Sequence, residues 1–353
     1  MLLNAGTGAV ANCVDEVLGR LPATLASCAS AETHACVLEL RTAPHATVAG
    51  VIDELRRMRR ALEAALGPWG LRAGAAGTHP LVTGAEVAIS AHPRYRSLGA
   101  SMRALARREP TMALHVHVAV PRASWAVRAL DGIRSELPVV LAVSANSPFW
   151  RGADSGFASS RTPIFSMFPR VGIPRRFGSY AAYVRVVEAL VHTAAIPDPS
   201  FLWWDARLQP RLGTVEVRIS DAQSRVADVA AIAAFVQCAV RHHAASQPGR
   251  VLAPEVLDEN RFLAARDGVG AQLADARTDH LVVASDRITE LLCDRAPLAA
   301  ELGCRAELES VAALAGDAGY QRQRRRAAEE GIAALPAFLG EEFVATVNPM
   351  AAA

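Results

Sequence analysis

The chain has 353 residues, and its 37 basic side chains against 35 acidic ones leave a net charge of +2, so the charge balance gives no reason to expect a nucleic acid partner. Every one of those 37 basic residues is arginine, because the sequence contains no lysine. This excludes a Schiff-base lysine, a pyridoxal phosphate anchor and a phosphate-binding loop of the form Gly-x-x-x-x-Gly-Lys-Ser/Thr.

The N-terminal part of the chain contains one clear helix. Residues 1–3 read as the end of a strand, and residues 13–25 have a roughly helical spacing that a glycine and a proline weaken. Thr47 to Leu66 carries its apolar residues on one face, which predicts an amphipathic helix. We expect its two arginine pairs, Arg56-Arg57 and Arg59-Arg60, to form a solvated face.

Three stretches, 35–42, 113–120 and 213–220, alternate with the period of two that predicts β-strands. Each has one apolar face and one polar face. The polar faces carry Glu39 and Arg41 in the first stretch, His115 and His117 in the second, and Thr214, Glu216, Arg218 and Ser220 in the third. A sheet that binds a metal ion and an anion on its open side would have this design.

Each of these pairs also has a purely structural interpretation. Glu216 and Arg218 could form an ordinary ion pair of the sheet, the two histidines could be hydrogen-bonded sheet residues, and Glu39 could be solvated. The repetition of one design in three strands favours the binding site.

The middle of the chain combines helices with two segments of unusual composition. Residues 74–80 read as a small-residue strand running into a loop, where glycine serves either a tight turn or the close approach of a ligand. Helices are predicted at Tyr95–Arg107, Ser124–Leu137 and Tyr180–His192. The aromatic residues of the long segment 144–178 favour a functional loop over disorder.

The C-terminal half is predicted to be mostly helical. Phe201–Arg207 reads as a strand, and Asp228–His243 as an apolar helix whose final histidine pair interacts with the helix dipole. Residues 253–343 read as helices broken by three glycines and Pro297. The arginines within 322–326 either lie on the surface or contact an anionic ligand.

The six cysteines form no Cys-x-x-Cys pair, which predicts reduced thiols in apolar surroundings. The sequence has neither a signal segment after Met1 nor an apolar run long enough to span a bilayer, so we expect a cytoplasmic protein without a membrane partner. It contains no internal repeat and no flexible linker, which favours one domain over residues 1–353.

Five motifs occur in the order and spacing of a known family. They are Gly77-Thr78-His79-Pro80, His115-Val116-His117-Val118, Ser144-Ala145-Asn146-Ser147-Pro148-Phe149, Trp204-Asp205-x-Arg207 and Thr214-Val215-Glu216-Val217-Arg218. By these motifs the chain resembles the type 2 glutamate-cysteine ligases, or ATP-dependent carboxylate-amine ligases, of the glutamine synthetase superfamily. The resemblance continues to residues 322–324 and so covers nearly the whole chain.

The resemblance implies an α+β fold of the glutamine synthetase type. Its curved antiparallel sheet would have a polar active face, with helices packed behind it and a helical C-terminal portion at about 253–345. The implied ligands are ATP, Mg²⁺ or Mn²⁺, and small amino acid substrates, and a homodimer is compatible with the family. In the implied reaction ATP phosphorylates the γ-carboxylate of glutamate, and the amine of cysteine then displaces phosphate.

The resemblance also implies roles for individual residues. Glu39, His115, His117 and Glu216 would bind metal, and Arg218, together with Glu216, would act on the transferring phosphoryl group. Contacts to ATP or substrate would come from His79, Asn146, Arg161, Trp204, Asp205, Arg207 and Arg218.

Members of the family open with a strand close to Gly-Val-Glu-Glu-Glu-Phe, which we expect this chain to lack, with weak activity as the consequence. Two other functions remain open from the sequence. A His-x-His strand also occurs in metal-dependent hydrolases, and a relative could bind nucleotide without turnover. The sequence does not determine which acid and which amine are joined.

Overall fold

The computed structural model describes residues 1–246, 249, 252–275, 277–278 and 280–345. The helices are α1 (Val14–Leu18), α2 (Ala23–Ala26), α3 (Val48–Leu66), α4 (Pro93–Met102), α5 (Ala123–Ile133), α6 (Leu137–Ser144), α7 (Arg161–Phe165), α8 (Tyr180–His192), α9 (Val226–Ala245), α10 (Pro254–Asp267), α11 (Ala284–Glu301), α12 (Arg305–Gly316), α13 (Gly319–Glu330) and α14 (Leu335–Val344). The strands are β1 (Leu2–Asn4), β2 (Ala29–Ala31), β3 (Leu38–Leu40), β4 (Leu71–Ala73), β5 (Val116–Ala119), β6 (Phe149–Trp150), β7 (Ala153–Asp154), β8 (Ala206–Gln209), β9 (Thr214–Val217), β10 (Gln272–Ala274) and β11 (Leu281–Val283).

The strands pair antiparallel, as predicted, but in small units. Within the described ranges, β5, β9 and β8 form a three-stranded sheet, and β1-β4, β2-β3, β6-β7 and β10-β11 form two-stranded ones. Beyond β5 and β9 the pairing continues as an isolated bridge between Ala113 and Asp221 at one end and a hydrogen bond of 2.9 Å from the amide of Val120 to the carbonyl of Gly213 at the other. The mixed α and β architecture agrees with the prediction, whereas a continuous curved sheet is not confirmed.

Helix α9 is the centre of the largest apolar core. A helix that is apolar on all sides is buried on all sides, and most of the residues of α9 are buried between α5, α12 and α3. The apolar face of β9 belongs to the same core, because Val215 and Val217 are almost inaccessible. The opposite face of this strand is therefore the only one that can present Glu216 to a ligand.

Several helices lie where the periodicity predicts them. Helix α3 begins after Thr47, whose hydroxyl accepts a hydrogen bond from the amide of Gly50 at 3.2 Å. Helix α8 has the predicted bounds. The weak signal at 13–25 corresponds to two short helices, and the one at 95–107 to α4 followed by a 3-10 helix.

The long segment 144–178 is ordered, in agreement with its aromatic content. It contains the β6-β7 hairpin and α7, and the hairpin turns at Arg151 and Gly152, whose φ angles of 53° and 78° are both positive. Positive φ at both central residues is the geometry of a two-residue hairpin turn that glycine favours. Arg151 adopts a positive φ angle although it lacks the conformational freedom of glycine.

Some predictions about the helical parts are wrong. Arg59 is buried instead of solvated, and its guanidinium donates to the carbonyls of Gln223 and Ser224. Pro297 lies inside α11 and does not end it. The β10-β11 hairpin interrupts a portion that the pattern assigns to helices.

Two further differences concern the bounds of individual elements. The region predicted as one helix at 124–137 is α5, and a separate helix α6 covers the apolar run after it. The strand predicted at 201–207 is shifted to Ala206–Gln209, because residues 199–201 form a 3-10 helix.

All six cysteines are free, as predicted. None of the helices in the described residues combines the length and apolar composition that crossing a membrane requires.

Candidate functional site

The three-stranded sheet brings three of the predicted residues into one row. His117 on β5 pairs with Glu216 on β9, and Glu216 pairs with Arg207 on β8. Residues directly opposite each other in antiparallel strands have their side chains on the same face. The row therefore joins an imidazole, a carboxylate and a guanidinium on the side of the sheet that faces away from the core.

Glu216 is the centre of this group, with a side chain that is 2% exposed. Its Oε2 accepts hydrogen bonds of 2.7 Å from Arg207 Nε and from Gln209 Nε2, and its Oε1 accepts one from Arg218 Nη1. Burial by itself would raise the pKa of Glu216, but the charges of Arg218 and Arg207 outweigh it and hold that pKa well below its usual range. Near neutral pH Glu216 is thus ionised, between two guanidinium groups.

The two histidines contribute neutral imidazoles. His115 Nδ1 and His117 Nε2 each lie 3.7 Å from Glu216 Oε1. Burial, followed by the charge of Arg218, lowers the pKa of His115 well below its ordinary value, and burial also lowers that of His117. His117 Nδ1 lies 3.0 Å from the hydroxyl of Thr214, which supports its ring orientation. Near neutral pH both rings are available as hydrogen-bonding partners and add no positive charge.

Arg207 and Arg218 differ in which of their guanidinium N–H groups have hydrogen-bond partners. Arg207 also donates through Nη1 to the carbonyls of Ser200 and Leu202, so it links the sheet to the preceding 3-10 helix. The Nε of Arg218 is buried and has no hydrogen-bond partner among the described residues. The Nε groups of seven other arginines share this feature in the described residues, so it is the position of Arg218 beside Glu216 and His115 that suits it to an incoming anion.

The β2-β3 hairpin adds two carboxylates to this side of the protein. Glu39 on β3 accepts a hydrogen bond of 3.1 Å from the hydroxyl of Ser30 on β2. Burial and then the charge of Glu39 raise the pKa of Glu32, whereas Arg218 acts in the opposite direction. Glu32 is therefore within electrostatic reach of both residues. The sequence pattern missed it because Glu32 follows a strand of only three residues.

Arg161 and Asp205 lie next to the Arg218 segment but are engaged by the protein. Arg161 donates to the carbonyls of Ile219 and Arg218 at 3.0 and 3.1 Å. Asp205 accepts hydrogen bonds of 2.6 and 3.4 Å from Arg261 on α10, and its carbonyl accepts from the amide of Arg218 at 2.8 Å. Sequence reasoning missed Arg261, since no strand or helix periodicity relates it to Asp205.

The remaining predicted residues have partners within the fold. His79 Nδ1 accepts from the amides of Leu81 and Val82, and its Nε2 lies 3.0 Å from the carbonyl of Gly8. Asn146 is buried and donates to the carbonyl of Ala222 at 2.8 Å. Trp204 packs against two aromatic rings, those of Phe177 and Tyr183, at centroid distances of 5.8 and 6.4 Å. Their contacts to ATP or substrate stay predictions.

These side chains, as arranged, do not fit a divalent cation. In the described part of the chain, no three His, Cys, Asp or Glu residues lie together so that they could hold a metal ion. Both oxygens of Glu216 are occupied by arginine or glutamine donors, and the acidic ligands that Mg²⁺ prefers must be free to coordinate it. The metal roles of Glu39, His115, His117 and Glu216 stay predictions.

The chain has clear relatives among known proteins. The model of a family described as glutamate-cysteine ligase family 2 (GCS2) matches residues 2–335. The chain is 41% identical over 336 residues to the "Putative glutamate–cysteine ligase 2-3" of Rubrobacter xylanophilus, covering 94% of this chain and 91% of that protein. It is 36% identical over 293 residues to the "Putative glutamate–cysteine ligase 2" of Gloeobacter violaceus, covering 82% of this chain and 79% of that protein.

Two solved structures have a similar fold. The glutamate–cysteine ligase of Francisella tularensis, in complex with AMP, aligns with a TM-score of 0.70 and 12% identity over 99% of this chain and 88% of its own. A bifunctional glutathione synthetase from Pasteurella multocida aligns with a TM-score of 0.66 and 13% identity over 97% of this chain and 50% of its own. At these identities the likeness concerns the fold alone.

Proposed function

This chain belongs to glutamate-cysteine ligase family 2, and from that membership and the group around Glu216 we propose that it is an ATP-dependent carboxylate-amine ligase. ATP phosphorylates the γ-carboxylate of glutamate, and the amine of cysteine then attacks the acyl phosphate to give a γ-glutamyl amide, ADP and phosphate. The choice of glutamate and cysteine rests on the family and on the names of the relatives. The AMP held by the Francisella enzyme supports the use of ATP.

The observation that carries the proposal is the arginine group on the polar face of the sheet. Arg207 and Arg218 share one carboxylate, Glu216, which holds both guanidinium groups in a fixed position. Arg161 adds a third buried guanidinium at the end of the same strand. The Nε groups of Arg161 and Arg218 are buried without a partner among the described residues, as are those of six other arginines, so the proposal relies on the position of these two beside Glu216 and the end of β9.

The chemistry needs this kind of environment. During phosphoryl transfer negative charge spreads over the equatorial oxygens, and a preorganised guanidinium stabilises it without reorienting. Glu216 orients Arg218 and stays ionised near neutral pH. Burial alone would raise its pKa, but the charges of Arg218 and Arg207 outweigh burial and hold that pKa well below the usual range. In the second step the amine nitrogen forms the new bond to the acyl carbon, the bond from that carbon to the phosphate oxygen breaks, and the amine gives up a proton.

The test is the release of ADP by the purified chain over a panel of amino acid acceptors in the presence of glutamate. We expect release that depends on an amine and is largest with cysteine. Arg218→Lys keeps the charge but loses the planar fork, so we expect its turnover to fall about 10²-fold or more while the melting temperature changes little. Arg57→Lys, on the exposed side of α3, serves as the matched control.

Three outcomes would contradict the proposal. Phosphate release that needs no amine would indicate a hydrolase, and nucleotide binding without any ADP release would indicate a relative without turnover. A lysine variant that turns over like the unchanged protein would remove Arg218 from the chemistry. The requirement for Mg²⁺ or Mn²⁺ stays a prediction from the family resemblance, and amide formation that persists in a chelator would contradict that requirement.

A further inference from the structure

Asp221, which follows the end of β9, is fully buried and accepts hydrogen bonds from a single loop, residues 146–161. Its Oδ2 accepts from the amide of Asn146 at 2.8 Å and from the hydroxyl of Ser147 at 2.7 Å. Its Oδ1 accepts from the hydroxyl of Ser159 at 2.9 Å. The carboxylate therefore joins the end of the strand to both ends of the loop 146–161.

A second segment closes the other side of this carboxylate. A Cβ atom at Gly77 would lie 2.6 Å from Asp221 Cγ and 2.7 Å from the hydroxyl of Ser147. Such separations are too short for a side chain, so only glycine lets the backbone pass here. The amide of Gly77 also donates to the carbonyl of Asn146 at 3.0 Å. Asp221 thus has no room to move away from the loop.

Arg161 connects this carboxylate to the proposed active site. Its Nη1 lies 3.8 Å from Asp221 Oδ1 and donates to the carbonyl of Ile219. Its Nη2 donates to the carbonyl of Arg218 at 3.1 Å, and the Arg218 side chain contacts Glu216. A displacement of the loop would therefore be transmitted through Arg161 to the backbone that carries Arg218.

We propose that Asp221 is a positioning residue for the ligase reaction, holding Arg218 at the transferring group through Arg161 and the loop 146–161. The expected effect of Asp221 on turnover rests on the proposed ligase function. The amide of Asn146 can only donate, so Asp221→Asn would keep its oxygen on that side and turn its NH2 towards Ser159 and Arg161. The Ser159 hydroxyl can accept from this NH2, but the guanidinium of Arg161, 3.8 Å from Oδ1, would lose the carboxylate charge and face an N–H group instead. A displacement of about 1 Å in such a site typically costs about 10²-fold in rate.

The experiment compares Asp221→Asn and Ser159→Ala with Glu136→Gln, each assayed by kcat, KM and thermal melting. Glu136 is a matched control because it is also a buried carboxylate paired with a buried arginine, Arg295 at 2.8 Å, outside this group. We expect kcat to fall about 10²-fold in Asp221→Asn and by a few-fold in Ser159→Ala, with little change in KM. Glu136→Gln should lose stability and keep kcat.

A double-variant cycle separates positioning from a merely structural role. If Asp221 acts through Arg218, adding Asp221→Asn to Arg218→Lys should lower kcat little further than the lysine change does alone. Losses that multiply would overturn the proposal, as would an Asp221→Asn protein that melts early yet keeps its kcat. If Asp221→Asn does not fold, an unchanged kcat in Ser159→Ala overturns it.

Amide hydrogen exchange tests the same inference without turnover. Asp221→Asn should accelerate exchange at residues 218–222 and 146–161, while Glu136→Gln leaves these segments as they are. Equal exchange in all three proteins would overturn the proposal. If the unchanged protein releases no ADP, the proposed ligase function fails, and this measurement still decides whether Asp221 holds the strand end.

Discussion

Arg207 offers the sharpest distinction between a residue that contacts substrate and one that holds the site together. The family resemblance assigns it to ATP or substrate, whereas its side chain is 8% exposed and all three of its nitrogens already donate to the protein. Nε and Nη2 face the two oxygens of Glu216 at 2.7 and 3.5 Å, and Nη1 donates to the carbonyls of Ser200 and Leu202. We therefore expect Arg207→Lys to affect stability as well as turnover.

The magnitude follows from the bonds that lysine cannot make. One ammonium on a flexible stem cannot bond both oxygens of Glu216 and also reach the carbonyls of Ser200 and Leu202. Losing two hydrogen bonds of a charged donor, at about 1.5 to 3 kcal/mol each, and regaining part of that through the remaining charge gives a destabilisation of about 3 kcal/mol. For a chain of this size that corresponds to a melting temperature lower by roughly 5 °C.

The assay is thermal unfolding followed by circular dichroism near pH 7, run beside amine-dependent ADP release. Arg57→Lys on the exposed side of α3 is the control, and its melting temperature should stay within about 1 °C of the unchanged protein. If Arg207→Lys melts like the control but loses turnover, Arg207 acts on substrate and the reasoning from its contacts is wrong.

Three other predictions concern stability and pH. Burial of Glu136 is outweighed by His243 and Arg295, which lower its pKa from 4.5 to about 2, so it contributes stability above pH 4.5 that disappears as the pH falls towards 2. This linkage is worth on the order of 3 kcal/mol. The free energy of unfolding measured in urea should therefore be lower for Glu136→Gln than for the unchanged protein near pH 7, and the two values should converge on acidification. Arg59→Met should lower the urea midpoint by leaving buried carbonyls without a donor, at a cost of about 2 kcal/mol, with kcat unchanged. Because the pKa values of His115 and His117 are both lowered, kcat should show no histidine ionisation between about pH 6.5 and 8, and a step in that window would contradict the neutral imidazoles.

The sequence alone determines the local design of the site. Alternation with a period of two places His117 and Glu216 on polar strand faces, and both pair in the same sheet with their apolar neighbours buried behind them. The same applies to helices α3 and α8, whose apolar spacing depends only on nearby residues. Local periodicity is readable because a strand or helix repeats its geometry within a few residues.

The tertiary structure alone decides which distant residues meet. Nothing in the local pattern pairs Asp205 with Arg261, or places Asp221 against Gly77, since each pair joins separate elements. The charge of Arg59 predicts a solvated side chain. Arg59 is instead buried against two carbonyls and the ring of Phe343, because its surroundings depend on how α3 packs against the C-terminal helix α14. Strand periodicity also cannot set how far a ladder extends, because register and continuity depend on long-range packing.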